Sequence, residues 1–269
     1  MPSEKESPRL QPLAAMPGAA LAGLRVLAAD VDDTITAGGK LPARTLELFE
    51  NLEAAGLAVA LVTGRSAGWA QALAGYLPGV RVVVGENGLV SFDGAGRRRD
   101  LGPPRDASFG RALADNAERV ARAFALVRTD DDVFRLFERA FLRPTGFDAD
   151  ALRRCQQLVD AGFETIASSI HIHVRPSGWD KADGLLAALA PIVPAVLDDP
   201  DAGILFVGDS SNDRPLFARF PRTSVGVHNI VGFLDELGAD RPAYITEGEA
   251  AAGFAEVVER VLAARHRAA

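Results

Sequence analysis

A single cysteine, Cys155, stands among 269 residues. It has no partner for an internal disulfide, and most zinc modules, which need several thiolates, are excluded. Basic residues are also scarce, with 29 Lys and Arg against 36 Asp and Glu and a formal net charge of −7. Non-specific nucleic-acid binding depends on clustered cations, so no nucleic-acid partner is expected. Long apolar runs are missing too. The stretch between Asp183 and Asp198 falls short of the ~18 residues a membrane span needs, and Pro191 and Pro194 interrupt it. Near the N-terminus, Glu4 and Glu6 spoil the basic part of a secretory signal, and Pro12 and Pro17 break its apolar part. Residues 1–20 therefore read as a mobile leader, with Met16 as an alternative start. The expectation is a cytoplasmic protein without a membrane partner.

What is present is ordinary globular material: 48% hydrophobic and 24% charged residues, enough for a sizeable core. At ~150 residues per domain the length suggests roughly two folding units. After the leader, short apolar runs alternate with helical patterns. Residues 24–29, 57–62 and 80–84 read as strands; residues 42–55 read as a helix with Leu46, Phe49 and Leu52 on one face, and 67–76 as another. Short continuous Val/Leu/Ala runs are what strands covered on both faces look like. The same grammar returns in strands at 204–207, 224–227 and 243–245 and a helix at 214–220. A last helix carries Phe254, Val257, Val258, Val261 and Leu262 as one stripe. This predicts an α/β fold, a Rossmann-like parallel sheet with helices on both faces.

From about residue 89 to 178 the texture changes. A long helix at 108–125, extended structure at 133–142, a helix at 148–161 and an alternating strand at 166–174 suggest an inserted α+β module. The expected division is a core from residues 21–88 and 179–269, with 89–178 inserted. The triplet Arg97–Arg98–Arg99 reads as a solvated turn.

Polar residues cluster where apolar strands end, which is where open α/β sheets bind ligands. The run LAADVDDTIT puts Asp30, Asp32, Asp33 and Thr34 directly after a strand. Carboxylates gathered there need a positive neighbour, and magnesium, a hard cation, suits oxygen ligands. One such carboxylate can act as nucleophile and another as general acid and base; the plain alternative is an Asp-rich turn. In LVTGRS, Thr63 and Gly64 close the second strand and Ser66 can cap the next helix. A hydroxyl and backbone N–H groups at a helix start make an anion site, or merely a capped turn. Lys181 opens an apolar helix, against the macrodipole, and an anion would compensate it; a solvated lysine is the plain reading. In ILFVGDSSNDRPLF, Asp209, Asn212 and Asp213 follow another strand, with Gly208 permitting close backbone approach. A helix cap explains one of these residues but not the set.

Asp-x-Asp, Thr, Lys and Gly-Asp-x-x-Asn-Asp, in this order at element boundaries, resemble the haloacid dehalogenase-like phosphohydrolases from about Leu24 to Leu262. The resemblance implies that Asp30 is the nucleophile forming an aspartyl-phosphate and that Asp32 is general acid and base. It implies Mg²⁺ held by Asp30, the Asp32 carbonyl and Asp209, with Asp213 steadying the site. Thr63, Gly64 and Lys181 would hold phosphoryl oxygens, with Asn212 close by. The family often has Gly where this chain has Asp33. An insertion between the second and third motifs, Gly85–Glu86–Asn87–Gly88 leading out of the core, and the re-entry HIHVRPSGWDK resemble its subfamily with a type-two, B-class cap (IIB). That class includes sugar-phosphate, sucrose-phosphate, mannosyl-phosphoglycerate and archaeal phosphoglycolate phosphatases. The expected cap order is α-β-β-α-β-β.

Alternation in the last cap strand puts Ile170, Ile172 and Val174 on one face, and Ser169, His171, His173 and Arg175 on the other. The apolar face should pack on the cap helices. His171, His173 and Arg175 suggest a leaving group with additional negative charge; a solvated sheet face is the plain alternative. The expected reaction is Mg²⁺-dependent hydrolysis of a small soluble phosphomonoester, a sugar phosphate or phosphorylated organic acid. A phosphomutase would use the same intermediate. A phosphoacceptor signalling module and a catalytically silent binding protein are the non-hydrolytic alternatives. Oligomeric state is not legible.

Overall fold

A computed structural model describes residues 10–268. Among the described residues twelve strands run in chain order: β1 (Gln11–Pro12), β2 (Val26–Ala29), β3 (Ala58–Val62), β4 (Val80–Gly85), β5 (Val90–Asp93), β6 (Arg98–Asp100), β7 (Arg139–Leu142), β8 (Phe163–Ala167), β9 (His171–Pro176), β10 (Ile204–Gly208), β11 (Ser224–Gly226) and β12 (Tyr244–Ile245). The chain divides into two compact units. One takes in residues up to Leu61 with Leu77–Arg81 and Ala190–Ala269; the other comprises Val62–Tyr76 and Val82–Leu189. This division differs from the expected breaks at 88/89 and 178/179, because Val62–Tyr76 and residues 82–88 and 179–189 group with the inserted residues.

The first unit is built on parallel strands in the order β1-β12-β11-β10-β2-β3. All four residues of β2 and all five of β10 are buried, which is why both read as uninterrupted apolar runs. In the β2–β10 register Ala29 faces Val207, so the chain leaves both strands at the same edge of the sheet. The helices Ala43–Ala54 and Ala250–Ala268 pack together, with Phe49 and Phe254 meeting edge to face at 5.8 Å. The expectation of a mobile leader needs correcting from residue 10 onward. Gln11–Pro12 pairs with β12, Leu13 and Met16 are buried, and Arg260 donates to the Ala14 and Met16 carbonyls. Residues 1–9 lie outside the described residues.

The second unit holds the remainder of β4 in an antiparallel set with β5 and β6, and a separate antiparallel sheet in the order β7-β9-β8. Ile172 and Val174 of β9 face a core with Leu113, Val120, Phe141 and Cys155, drawn from β7 and the helices Ala107–Phe124 and Ala149–Gln156. Asp106 and Asp148 cap those helices by accepting backbone N–H bonds.

Three expectations about the insertion change. Residues 166–174 are two strands, β8 and β9, reversing at Ser168, whose hydroxyl accepts from the His171 N–H. Asp132–Phe134 is a 3₁₀ turn and β5 and β6 precede the first helix, so the order over residues 89–178 is β-β-α-β-α-β-β. The second helix ends at Gln156 rather than 161. Arg98 and Arg99 lie on exposed strand β6, with Arg98 paired to Asp100 and Arg99 donating to the Ala187 carbonyl.

Candidate active site

In the first unit, β2 delivers Asp30, whose N–H donates to the Val207 carbonyl. The chain then coils back: the N–H groups of Thr34, Ile35 and Thr36 all point at the Val31 carbonyl. Asp33 takes φ +54° in that turn. Left-handed backbone favours glycine, and among other residues Asp and Asn tolerate it best, which accounts for Asp at this position.

From the adjacent strand, β10 delivers Asp209 and then Asp213. The Asp213 carboxylate accepts from the N–H groups of Asp209 and Ser210, and the Ser210 side chain reciprocates in a capping box. A methyl group on Gly208 would sit 2.4 Å from Asp213 Oδ2, so glycine is required for this carboxylate to fold under the loop. The Asn212 side-chain oxygen accepts from the Ser210 hydroxyl. Asp30, Asp209 and Asp213 are buried and bring one carboxylate oxygen each within 4.8 Å of the others. Asp32, beside them in sequence, is half-buried.

Two further residues of this unit support these carboxylates: Thr34, which the sequence placed directly after the first strand, and Asn229, which it did not single out. The Thr34 hydroxyl reaches Asp209 Oδ1 at 3.4 Å. Asn229 donates to the Asp33 carbonyl at 3.1 Å and to Asp209 Oδ2 at 3.4 Å, while its own oxygen accepts from Ala250 at the start of the last helix. Asn229 therefore ties the loop after β2, the carboxylate after β10 and that helix together.

The second unit holds the remaining sequence candidates. Thr63 is buried, and its hydroxyl oxygen accepts from the Arg65 N–H at 3.0 Å. The Ser66 N–H donates to Asp131 at 3.2 Å and the Ala67 N–H to Glu86 at 3.1 Å. The anion at this helix start is thus supplied by the chain itself. Lys181 is buried at the head of the helix Lys181–Leu189, which packs on the turn Glu86–Gly88. A methyl on Gly184 would approach Gly88 Cα to 2.5 Å, and one on Gly88, at φ +107°, would approach the Asp180 carbonyl to 2.1 Å.

Around that turn lies a buried polar network that sequence reading did not find. Glu86 accepts from the N–H groups of Ala67, Leu136, Phe137 and Glu138. Burial, reinforced by the charge of Glu138, pushes its pKa up to about 7. Arg135 is fully buried; it donates to the Gly64 carbonyl at 2.8 Å and pairs with Glu138 and Asp131. Burial alone would raise Glu138, but attraction and hydrogen bonding from His173, with Arg135 and Arg175, hold it well below the ordinary carboxylate range. Asp131 is likewise opposed by burial, yet Arg135, Thr129 and Ser66 bring it down to about 2.

His171, His173 and Arg175 lie on one face of β9 as the alternation predicts, but they are buried rather than solvated. Burial lowers His173 in spite of Glu138 at 2.9 Å. Burial, then the neighbouring His173, Arg135 and Arg65, bring His171 down to about 3. Both rings are neutral near pH 7, so the positive charge here resides in Arg135 and Arg175, the latter with Glu164 at 3.7 Å.

Comparison with known proteins bears on this arrangement. The profile of the haloacid dehalogenase-like hydrolases matches residues 27–95. A phosphoglycolate phosphatase of Halorubrum lacusprofundi is 31% identical over 200 residues, spanning 71% of this chain and 79% of the relative. One from Aeropyrum pernix is 26% identical over 246 residues, spanning 90% and 95%. A crystal structure from Thermoplasma acidophilum matches with a TM-score of 0.68 at 22% identity, over 88% of this chain and 98% of that one. No helix among the described residues is long and apolar enough to cross a membrane. With its carboxylates gathered after two adjacent parallel strands and relatives matched along most of its length, the chain belongs to the haloacid dehalogenase-like hydrolases and is a phosphatase of that family.

Proposed function

We propose that this phosphatase hydrolyses a small phosphomonoester, a sugar phosphate or a phosphorylated organic acid, with Mg²⁺ and through an aspartyl-phosphate on Asp30. The observation that carries the reading is the convergence of three buried carboxylates, Asp30, Asp209 and Asp213, within 4.8 Å. Like charges so close repel unless a cation lies among them, and an all-oxygen donor set suits a hard divalent ion. When bound, magnesium supplies the positive charge that lets carboxylates face a phosphate dianion.

The chain's own groups do the rest. A carboxylate oxygen of Asp30 attacks phosphorus in line, a P–O bond to Asp30 forms, and the bond to the leaving alkoxide breaks as Asp32 donates its proton to that oxygen. Asp32, now anionic, removes a proton from water; the water oxygen attacks phosphorus, the bond to Asp30 breaks and inorganic phosphate leaves. Thr63, Gly64, Lys181 and Asn212 are the groups we assign to the phosphoryl oxygens. Thr63 Oγ accepts from Arg65, which leaves its O–H to donate. Residues 89–178 form the cap that selects the leaving group. The phosphoglycolate phosphatases among the relatives support a small organic phosphate.

The test is phosphate release from a panel of sugar phosphates, phosphoglycolate, phosphoglycerates and nucleotides, with Mg²⁺, beside an Asp30→Asn control. Turnover is expected for at least one small phosphomonoester and lost with Asp30→Asn or EDTA. Full turnover after thorough metal removal, or in Asp30→Asn, overturns the mechanism.

A further inference from the structure

In the loop after β3 successive carbonyls are tied down. That of Thr63 accepts from the Asn87 N–H at 3.0 Å, that of Gly64 from Arg135 Nη1 at 2.8 Å, and that of Arg65 from the Glu86 N–H at 2.9 Å. The N–H of Thr63 donates to the Val84 carbonyl, that of Arg65 to the Thr63 hydroxyl, that of Ser66 to Asp131 and that of Ala67 to Glu86. From Thr63 to Ala67 only the Gly64 N–H, on a half-buried residue, meets no acceptor among the described residues.

A trans peptide points its C=O and the next N–H in opposite directions. The Asn87 N–H, holding the Thr63 carbonyl, therefore fixes the direction of the Gly64 N–H. Arg135, holding the Gly64 carbonyl, fixes the Arg65 N–H, which lands on the Thr63 oxygen and leaves that hydroxyl its proton to donate. Turned over, the Gly64–Arg65 peptide would offer the Thr63 hydroxyl a carbonyl oxygen and draw the proton inward. Glycine has no side chain to resist such a turn, so the restraint comes from the partner. That partner is a side chain of the inserted segment, itself locked between Glu138 and Asp131. We infer that Arg135 is a positioning residue for phosphate binding: it holds the Gly64–Arg65 peptide so that the Thr63 O–H, beside the Gly64 N–H, remains a donor. The insertion thereby acts on the phosphoryl group common to every substrate as well as on the leaving group. This rests on the proposed assignment of Thr63 and Gly64 to the phosphoryl oxygens.

Inorganic phosphate is the probe, its affinity read as competitive inhibition of the full chain with Mg²⁺. Hydrogen bonds to charged groups are among the stronger ones, so Arg135→Met should weaken phosphate about tenfold. Leu113→Ala opens a cavity in the core of the same unit; it lowers the melting temperature too, but should leave phosphate affinity within about twofold. Arg135→Met strands Glu138, whereas Arg135→Met/Glu138→Gln is a neutral pair that keeps the fold, and it should show the same loss as Arg135→Met. In a Thr63→Val background Arg135→Met should add less than about twofold, because both changes remove one donor. Wild-type phosphate affinity in either folded Arg135 variant overturns the role of Arg135. So does an equal loss in Leu113→Ala, or losses that multiply in full with Thr63→Val. Phosphate affinity and turnover unmoved by Thr63→Val would instead refute the loop assignment, and this inference with it.

Discussion

Arg135 is the group whose loss should be felt most widely in the second unit. Its side chain is wholly buried and meets the carboxylates of Glu138 and Asp131 and the Gly64 carbonyl. Arg135→Met keeps the length and removes the charge. Glu138, itself fully buried, then keeps Asn87, His173 and the charge of Arg175, and without Arg135 its own charge is less compensated. Breaking a buried pair by removing one partner typically costs about 3–5 kcal/mol, because the remaining ion stays desolvated. For units of this size that corresponds to a fall in Tm of roughly 6–20 °C.

The loss must also depend on pH. Glu138 is depressed in the native state, so its contribution is present above its unfolded pKa and disappears as pH falls through the folded value. Without Arg135 the depression shrinks, and the penalty should be largest near pH 7.5 and smaller near pH 4. Both tryptophans, Trp69 and Trp179, belong to the second unit, so their fluorescence during urea unfolding reports on it directly. Arg135→Lys, which keeps charge but not the planar fork, should fall between the two. A loss below about 1 kcal/mol in Arg135→Met, or one equal at both pH values, would refute the argument.

Four other outcomes follow from the geometry. Gly208→Ala places a methyl 2.4 Å from Asp213 Oδ2, and should cut kcat/KM sharply while far-UV circular dichroism stays native; unimpaired activity would show that Asp213 is not needed where it lies. Asn229→Ala removes the bridge between the Asp33 carbonyl and Asp209, and groups that orient metal-binding carboxylates typically matter by about 10–100-fold in activity or metal affinity. His171 is held at about 3 from an ordinary 6.5, so its contribution is full above pH 6.5 and lost as pH falls toward 3; His171→Gln should flatten that slope by at most about 4–5 kcal/mol, read from urea midpoints across the range. Cys155 is buried and its thiol pushed up to about 11, so iodoacetamide at pH 8 should label it only in denaturant.

Much of the fold was legible because its strands are covered on both faces. The runs that became β2, β3 and β10 could be read to within a residue or two. The carboxylates Asp30, Asp209 and Asp213 could be paired across 180 residues because each follows such a run. The insertion was harder for local reasons. Ser168–Ile170 reverses the chain without a glycine or proline to mark it, so β8 and β9 read as one strand. Leu158 and Val159 continue the apolar period of the preceding helix but pack on the same core from beyond its end, so the helix read too long. The network of Glu86, Arg135 and Glu138 was hidden for a different reason. Arg135 meets Gly64 across 71 positions and Glu138 meets His173 across 35, and no local pattern encodes such partners. An apolar or neutral residue at any of these positions would have fitted the secondary-structure pattern equally well.

That hidden network changes how the loop after β3 can hold a phosphate. By sequence, its hydroxyl and the following helix start promise an anion site from backbone N–H groups and the helix dipole. The structure gives the N–H groups of Ser66, just before that helix, and Ala67, its first residue, to Asp131 and Glu86, two carboxylates of the chain itself. A dianion brought to the same groups would compete with Asp131, which Arg135 and Ser66 hold ionised at neutral pH. In the proposed reaction, then, the helix terminus is already spent on architecture. The groups assigned to the phosphoryl oxygens in that reaction are the Thr63 O–H, which acceptance from Arg65 leaves able to donate, the Gly64 N–H, Asn212 and the ammonium of Lys181, beside the cation proposed at the aspartates. Of these only Lys181 and the cation carry positive charge, so replacing Lys181 with a neutral residue should weaken phosphate binding more than removing the Thr63 hydroxyl.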